Sequence, residues 1–203
     1  MQGRTHMPLG IAVALAVVPA KSLPVLTAGL GAAAIGSVLS DVDAGQSRPH
    51  KDAAVISGIC LALVAVLALL EWRFRLGIAE LFRRYSSSPR IVTGVLPFLA
   101  IVVFGMHRPH RSVMHSIPAW LALSACAYVI LPPAAPFFAA AFASHIAADL
   151  LNRRGMQLLW PLPKRFSLGL CRSDGKVNGI LCAVSTVCAA ALLALRVWML
   201  VVH

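Results

Sequence analysis

A chain of 203 residues that is 59% hydrophobic and only 12% charged is too apolar for a soluble globular domain, and its length suits one helical bundle with no second folded unit. The net charge of +11 comes from eighteen Lys and Arg placed in short clusters between apolar runs. With no basic helix and no interleaved aromatics, membrane lipids are the expected partners and nucleic acid is not.

Thr5-His6 leads into a first apolar run from about Met7 to Val18, and a second follows from Pro24 to Leu39, with Pro19, Lys21 and Pro24 between them. Arg4 followed by an apolar run is also the outline of a signal peptide, but the run continues into a second one, so residue 1 is expected in the mature chain. At 1.5 Å per residue the two helices reach only about 18 to 24 Å, short of a roughly 30 Å hydrocarbon layer. Their polar ends must then dip into the membrane, or the bilayer must thin.

Ala53 to Leu70 is a full-length run, followed by a basic connector to Arg90 whose middle, LGIAELF, suits a short amphipathic helix in the interface. Ile91 to Phe104 is a short fourth run that ends at the segment MHRPHRSVMHS. A fifth spans about Ser116 to Leu131, a sixth begins near Pro136 and ends around Leu151, and the last is Val177 to Val202. The expected fold is therefore all-α: one transmembrane bundle of about seven helices over residues 1–203.

Seven alternating spans put His6, Asp41 and Asp43, His110 and His115, and the Asp149 end on one face. Eleven Lys and Arg flank that face against six on the other, which makes the motif face cytoplasmic by the positive-inside rule. The five cysteines show no CxxC spacing and most lie inside apolar runs, so neither a disulfide framework nor a zinc knuckle is expected. No P-loop, dinucleotide-binding glycine pattern or Gly-x-Ser-x-Gly elbow is present.

Ionisable groups at the ends of apolar helices are functional candidates. His145 and Asp149 are four apart and share a helix face, which Asn152 extends; the pair can grip a metal or hydrogen-bond within the bundle. Asp41 and Asp43 point the same way if the backbone is extended, and two such carboxylates repel unless a cation lies between them; otherwise Asp41 caps a turn and Asp43 is solvated. His107 to His115 holds three histidines and two arginines, with Arg111 and His115 at helical spacing. Arginine offers a fork for phosphate, and imidazole binds metal or moves a proton; a basic loop on lipid head groups explains Arg108 and His107 equally well.

Taken in order, these segments resemble the YdjM-like family of membrane-bound metal-dependent hydrolases. Thr5-His6 fits its opening element, and Leu39, Asp41 and Asp43 fit Leu-Pro-Asp-x-Asp-His. His110, Arg111, His115 and Ser116 fit His-Arg-Gly-x-Thr-His-Ser. Ser144, His145 and Asp149, with Gly155, Leu158, Leu159, Trp160 and Pro161, fit the last. The chain departs from the pattern at Ser40, Ala44, Ser112 and Met114, where the family has proline, histidine, glycine and threonine. Ala44 removes a possible ligand, for which His50 or His107 could compensate, and Met114 removes a hydroxyl.

The His-x-x-x-Asp element also resembles one in zinc-dependent phospholipase C and P1-type nucleases. The resemblance implies His6, Asp41, Asp43, His110, His115, His145 and Asp149 as metal ligands. Zinc is the expected ion from the imidazole share, with manganese as the alternative. The implied reaction is hydrolysis of a lipid or lipid-linked phosphoester by metal-activated water, with Arg111, Asp43 and His115 as catalytic residues. The location implied is a bacterial inner membrane. The rival expectation is a non-catalytic membrane protein with a structural metal site or polar network, or a small transporter.

Overall fold

The computed structural model describes residues 3–42, 58, 62, 65–66, 68–69, 71–170 and 176–202. Seven α-helices have their bounds among these residues: α1 (Gly3–Val17), α2 (Leu23–Leu39), α3 (Ile78–Tyr85), α4 (Ser88–Met106), α5 (Ile117–Ile130), α6 (Ala135–Leu150) and α7 (Lys176–Val202). A 3-10 turn over Val113–His115 precedes α5. Among the described residues there is no sheet, only a single antiparallel bridge between Met156 and Phe166.

Proline sets most of the helix starts: α2, α4, α5 and α6 each carry one in their first two positions, where its missing N–H would have had no intrahelical partner. Ser116 caps α5 by accepting from Ala119 N at 3.3 Å. At α3 the cap comes from upstream, where the Glu71 carboxylate accepts from Ile78 N at 2.9 Å and Ala79 N at 3.3 Å. The sequence IAELFRRY then buries Ile78 and Leu81 and turns Arg83 and Arg84 outward, as expected for an interfacial helix.

The centre of the bundle is α1, α2 and α6, and small residues let their backbones approach. A Cβ on Gly10 would lie 2.5 Å from Ser37 Cβ, and one on Gly36 would lie 2.6 Å from the carbonyl oxygen of Phe138. Around these contacts Leu15, Leu26, Phe137 and Ala141 form one buried cluster, and Leu39, Met114, Leu123, Phe138, Phe142 and Met156 another. Helices α4 and α5 pack as a hairpin beside α6, and Trp120 Nε1 donates to Ala139 O at 2.9 Å to tie α5 to α6.

Helix α7 lies against α1. At one end Thr5 Oγ1 donates to Asn178 Oδ1 at 3.0 Å; at the other, Arg196 Nε and a terminal guanidinium nitrogen donate to Leu15 O at 3.2 and 2.9 Å. The arginine thereby serves a carbonyl at the end of α1 that lipid could not. The outer faces of α4 and α7 expose Leu96, Leu99, Val103, Val184 and Val187, a surface suited to hydrocarbon.

The seven-span expectation is corrected. Among the described residues three helical stretches are long and apolar enough to cross a membrane, Leu23–Val42, Ser88–Met106 and Val177–Val202. Three more apolar helices, Thr5–Val17, Ile117–Ile130 and Ala135–Leu150, are shorter. The fourth run is longer than its apolar core implies, because Ser88-Pro89 opens the helix before the first aliphatic residue. The expected span at 53–70 lies mostly outside the described residues. Polarity alternates as expected at one face: α1, α5 and α7 begin where α2 and α6 end.

Candidate metal centre

Five helix-end or turn positions meet at that face. His6 comes from the first turns of α1, Asp41 from the 3-10 extension of α2, His115 from the turn before α5, and His145 and Asp149 from the last turns of α6. The three histidines and Asp149 are buried, and the Asp41 side chain keeps 23% of its exposure, so Asp41 marks the open side. One donor atom from each of Asp41, His115, His145 and Asp149 lies within 4.8 Å of the other three.

The individual separations are informative. His145 Nε2 is 3.5 Å and His115 Nε2 3.7 Å from the same oxygen, Asp41 Oδ1. Asp149 places Oδ2 3.4 Å from His115 Nε2 and Oδ1 3.5 Å from His6 Nε2. These are longer than ordinary hydrogen bonds. They are close to the roughly 3.4 Å between neighbouring donors in a shell with about 2.1 Å bonds, so an ion fits between these pairs without large movement.

The imidazoles are prepared for ligation. His145 Nδ1 lies 2.7 Å from the carbonyl oxygen of Ser37, which can only accept, so Nδ1 carries the proton and Nε2 presents its lone pair toward Asp41. Nε2 has no hydrogen-bond partner among the described residues, and neither ring nitrogen of His6 has one. Buried polar atoms without partners are costly, and a cation among them would remove the cost. The His6 ring stacks on that of His145 with centroids 3.7 Å apart, and His115 meets His145 edge-on at 5.3 Å.

Arg111 anchors the cluster from the other side. One terminal nitrogen donates to Asp149 Oδ2 at 3.0 Å and the other to Arg154 O at 2.5 Å, while Arg111 O accepts from Gln157 N at 2.9 Å. Its backbone is left-handed at φ 66°, an unusual state for arginine, so the side chain is aimed at α6 by a strained turn and not by a helix. The helical spacing expected for Arg111 and His115 is therefore not realised, although both reach Asp149. Nor is Asp41 in extended backbone, since its turn continues α2.

His110 lies beside the cluster, its ring edge-on to His115 at 5.0 Å. Asp43, Ala44 and His50 lie outside the described residues. His107, considered as a replacement ligand, is exposed at the end of α4 and bonds Val103 O through Nδ1 at 2.8 Å. Met114 turns away from the ligands into the apolar core, and Ser112 donates to Pro109 O.

Two parts of the site had no clear precursor in the sequence. The Ser37 carbonyl that fixes His145 is backbone and carries no side-chain signal. Asn178, which braces Thr5 beside His6, could have been noticed as a polar residue opening an apolar helix.

A family model described as the YdjM inner membrane protein matches residues 1–202. The chain belongs to the YdjM family. It is an integral inner membrane protein, and the ordered motifs of the family resemblance come together in space as a candidate divalent-metal site. No curated protein and no solved structure matches this chain.

Proposed function

We propose that this YdjM-family member is a metal-dependent hydrolase that cleaves a phosphoester of a lipid or lipid-linked substrate at the inner-membrane surface. The observation that carries the reading is the donor set itself: two imidazole and two carboxylate atoms within 4.8 Å of one another, with His145 Nε2 presented as a lone pair and Asp41 left open to one side. Four protein ligands fill a tetrahedral shell, so a substrate water on the Asp41 side would need a fifth coordination position or an Asp41 carboxylate that swings aside, and the partial exposure of Asp41 permits either.

A divalent ion here would supply Lewis acidity and lower the pKa of a coordinated water. Asp41, His115, His145 and Asp149 would hold it, with His6 and His110 beside them and Asp43 as a further ligand. Zinc suits so many imidazoles, and manganese is the alternative. Arg111 keeps Asp149 in place and, as a buried cation, would also meet phosphate charge. Asp43 is the group proposed to take the proton, and His115 is proposed to act in catalysis through the ion it helps to hold. The His-x-x-x-Asp spacing shared with zinc-dependent phospholipase C and P1-type nucleases supports phosphoester chemistry, and the recessed position at short helix ends supports a substrate arriving within the bilayer. The excess of basic residues at this face favours a cytoplasmic orientation.

A second reading, a polar network without turnover, is favoured by the Arg111–Asp149 ion pair, in which a buried guanidinium already neutralises the carboxylate at 3.0 Å. The two are separated by activity. Purified protein resupplied with zinc or manganese is offered phospholipid and isoprenyl-phosphate vesicles, and release of phosphate or head group is followed. Turnover that Asp41→Asn removes is the expected result. Stoichiometric metal with no release from any phosphoester would overturn hydrolysis and leave a structural site.

A further inference from the structure

The face opposite the metal centre holds a cavity of about 770 Å³ where the α1–α2 turn, the α5–α6 turn and α3 meet. Its wall is apolar, with Val25, Leu81 and Pro136 among the residues that form it, and Lys21 and Arg84 stand exposed at its rim. Lys21 also borders an adjoining cavity of about 640 Å³ together with Arg75.

The charges at this rim are unbalanced. Glu80 also borders the cavity, but its carboxylate is ion-paired with Arg83. The other nearby carboxylate, Glu71, is taken up by the backbone N–H groups that open α3. Lys21, Arg75 and Arg84 have no carboxylate partner among the described residues. Arg84 holds its guanidinium over the Tyr85 ring, 5.6 Å from the centroid.

An apolar pocket beneath unneutralised cations, at the end of membrane helices, is the complement of a phospholipid with net negative charge. We propose that this cavity binds an anionic phospholipid. Its phosphate sits at Lys21 and Arg84, and its glycerol and first acyl carbons lie against Val25, Leu81 and Pro136. The fork of Arg84 and the point charge of Lys21 are both suited to phosphate oxygens. A zwitterionic lipid fits less well, because its ammonium would need a carboxylate and Glu80 is already engaged. Free phosphate would leave the apolar wall unused. Occupancy would wedge α3 against the α1–α2 and α5–α6 turns, bracing the bundle about 25 Å, the length of α2, from the metal centre. The inference does not depend on hydrolysis.

The test is native mass spectrometry of the full-length protein in detergent, titrated with phosphatidylglycerol or phosphatidylcholine of identical chains. Lys21→Gln/Arg84→Gln is compared with wild type and with Arg90→Gln, which removes a charge from the same face outside the cavity. Both replaced side chains are exposed, so the buried core is undisturbed, and the Arg84–Tyr85 contact that is lost lies at the surface. Wild type should retain phosphatidylglycerol over phosphatidylcholine, and the double variant should lose about five-fold for each charge removed, roughly twenty- to thirty-fold in all. Arg90→Gln should retain the lipid, and metal content should be the same in all three. A loss per charge in Arg90→Gln as large as in the double variant, about five-fold, would overturn the site in favour of diffuse surface charge. Displacement by millimolar inorganic phosphate would overturn the lipid in favour of the free anion, and equal retention of both lipids would remove the role of charge.

Discussion

Replacing His145 with alanine tests the metal centre at the residue with the most defined geometry. In the wild type, Nδ1 is tied to Ser37 O at 2.7 Å and Nε2 faces Asp41 at 3.5 Å. Metal at a hundred times its dissociation constant stabilises the folded state by about 2.7 kcal/mol. For a chain of this size that raises the melting temperature by about 5–10 °C. Loss of even an outer partner of a metal ligand typically costs ten- to a hundredfold in affinity, and loss of the ligand itself should cost at least the upper figure. At the same zinc concentration the ratio of ligand to dissociation constant then falls to about 1 or below, leaving roughly 0.4 kcal/mol and a shift of about 1 °C. The assay is thermal unfolding of detergent-purified, chelator-stripped protein with and without added zinc, paired with elemental analysis. A zinc-induced shift in His145→Ala equal to that of the wild type would refute the assignment of Nε2 as a ligand.

Arg111→Lys keeps a cation but loses the fork between Asp149 and Arg154 O, so zinc affinity should fall about ten- to a hundredfold by equilibrium dialysis while the helical circular dichroism signal is retained. Gly36→Ala places a methyl against the Phe138 carbonyl and should destabilise the bundle by about 1–3 kcal/mol in a denaturant titration, with weaker zinc binding as α2 moves from α6. Met114→Thr introduces a hydroxyl at a fully buried apolar position and should cost about 2–4 kcal/mol of stability, with metal content unchanged in elemental analysis. A gain of metal in that variant would show that residue 114 faces the ligands after all.

The parts legible in the sequence were those set by local periodicity. His145 and Asp149 share a face because α6 is regular, and LGIAELF reads as amphipathic because its alternation is helical over two turns. The common end for Asp41, His115 and Asp149 followed from alternating spans, even though the number of spans was overestimated. Apolar runs of about fifteen residues look like crossings in the sequence, yet α1, α5 and α6 are short helices. Helix α6 packs against both α1 and α2 and so buries much of its apolar surface in protein. Hydrophobicity alone does not distinguish lipid-facing from helix-facing residues. Arg111 was placed near the site by its neighbours in the motif, but its left-handed backbone and its bond to the Arg154 carbonyl depend on a loop conformation that spacing cannot specify.

The same limitation explains why packing and chemistry are inseparable in this centre. The tautomer of His145 is set by a carbonyl of α2, and that carbonyl comes within 2.7 Å of α6 only because the two backbones are in close contact one residue earlier, at Gly36. A larger residue there would carry the Ser37 carbonyl away, free the Nδ1 proton, and let the ring turn its lone pair from Asp41. Gly10 imposes the same condition between α1 and α2, and α1 carries His6. The small residues that let short helices pack without a water-driven hydrophobic force are thus also what brings the ligands of α2 and α6 together with His6 of α1 beside them. On this argument Gly36→Ala and His145→Ala should interact: in a double-mutant cycle the zinc-binding losses should be less than additive, because the glycine acts on the metal through the histidine. Full additivity would mean that Gly36 supports the bundle alone and that the Ser37 carbonyl does not govern the ligand.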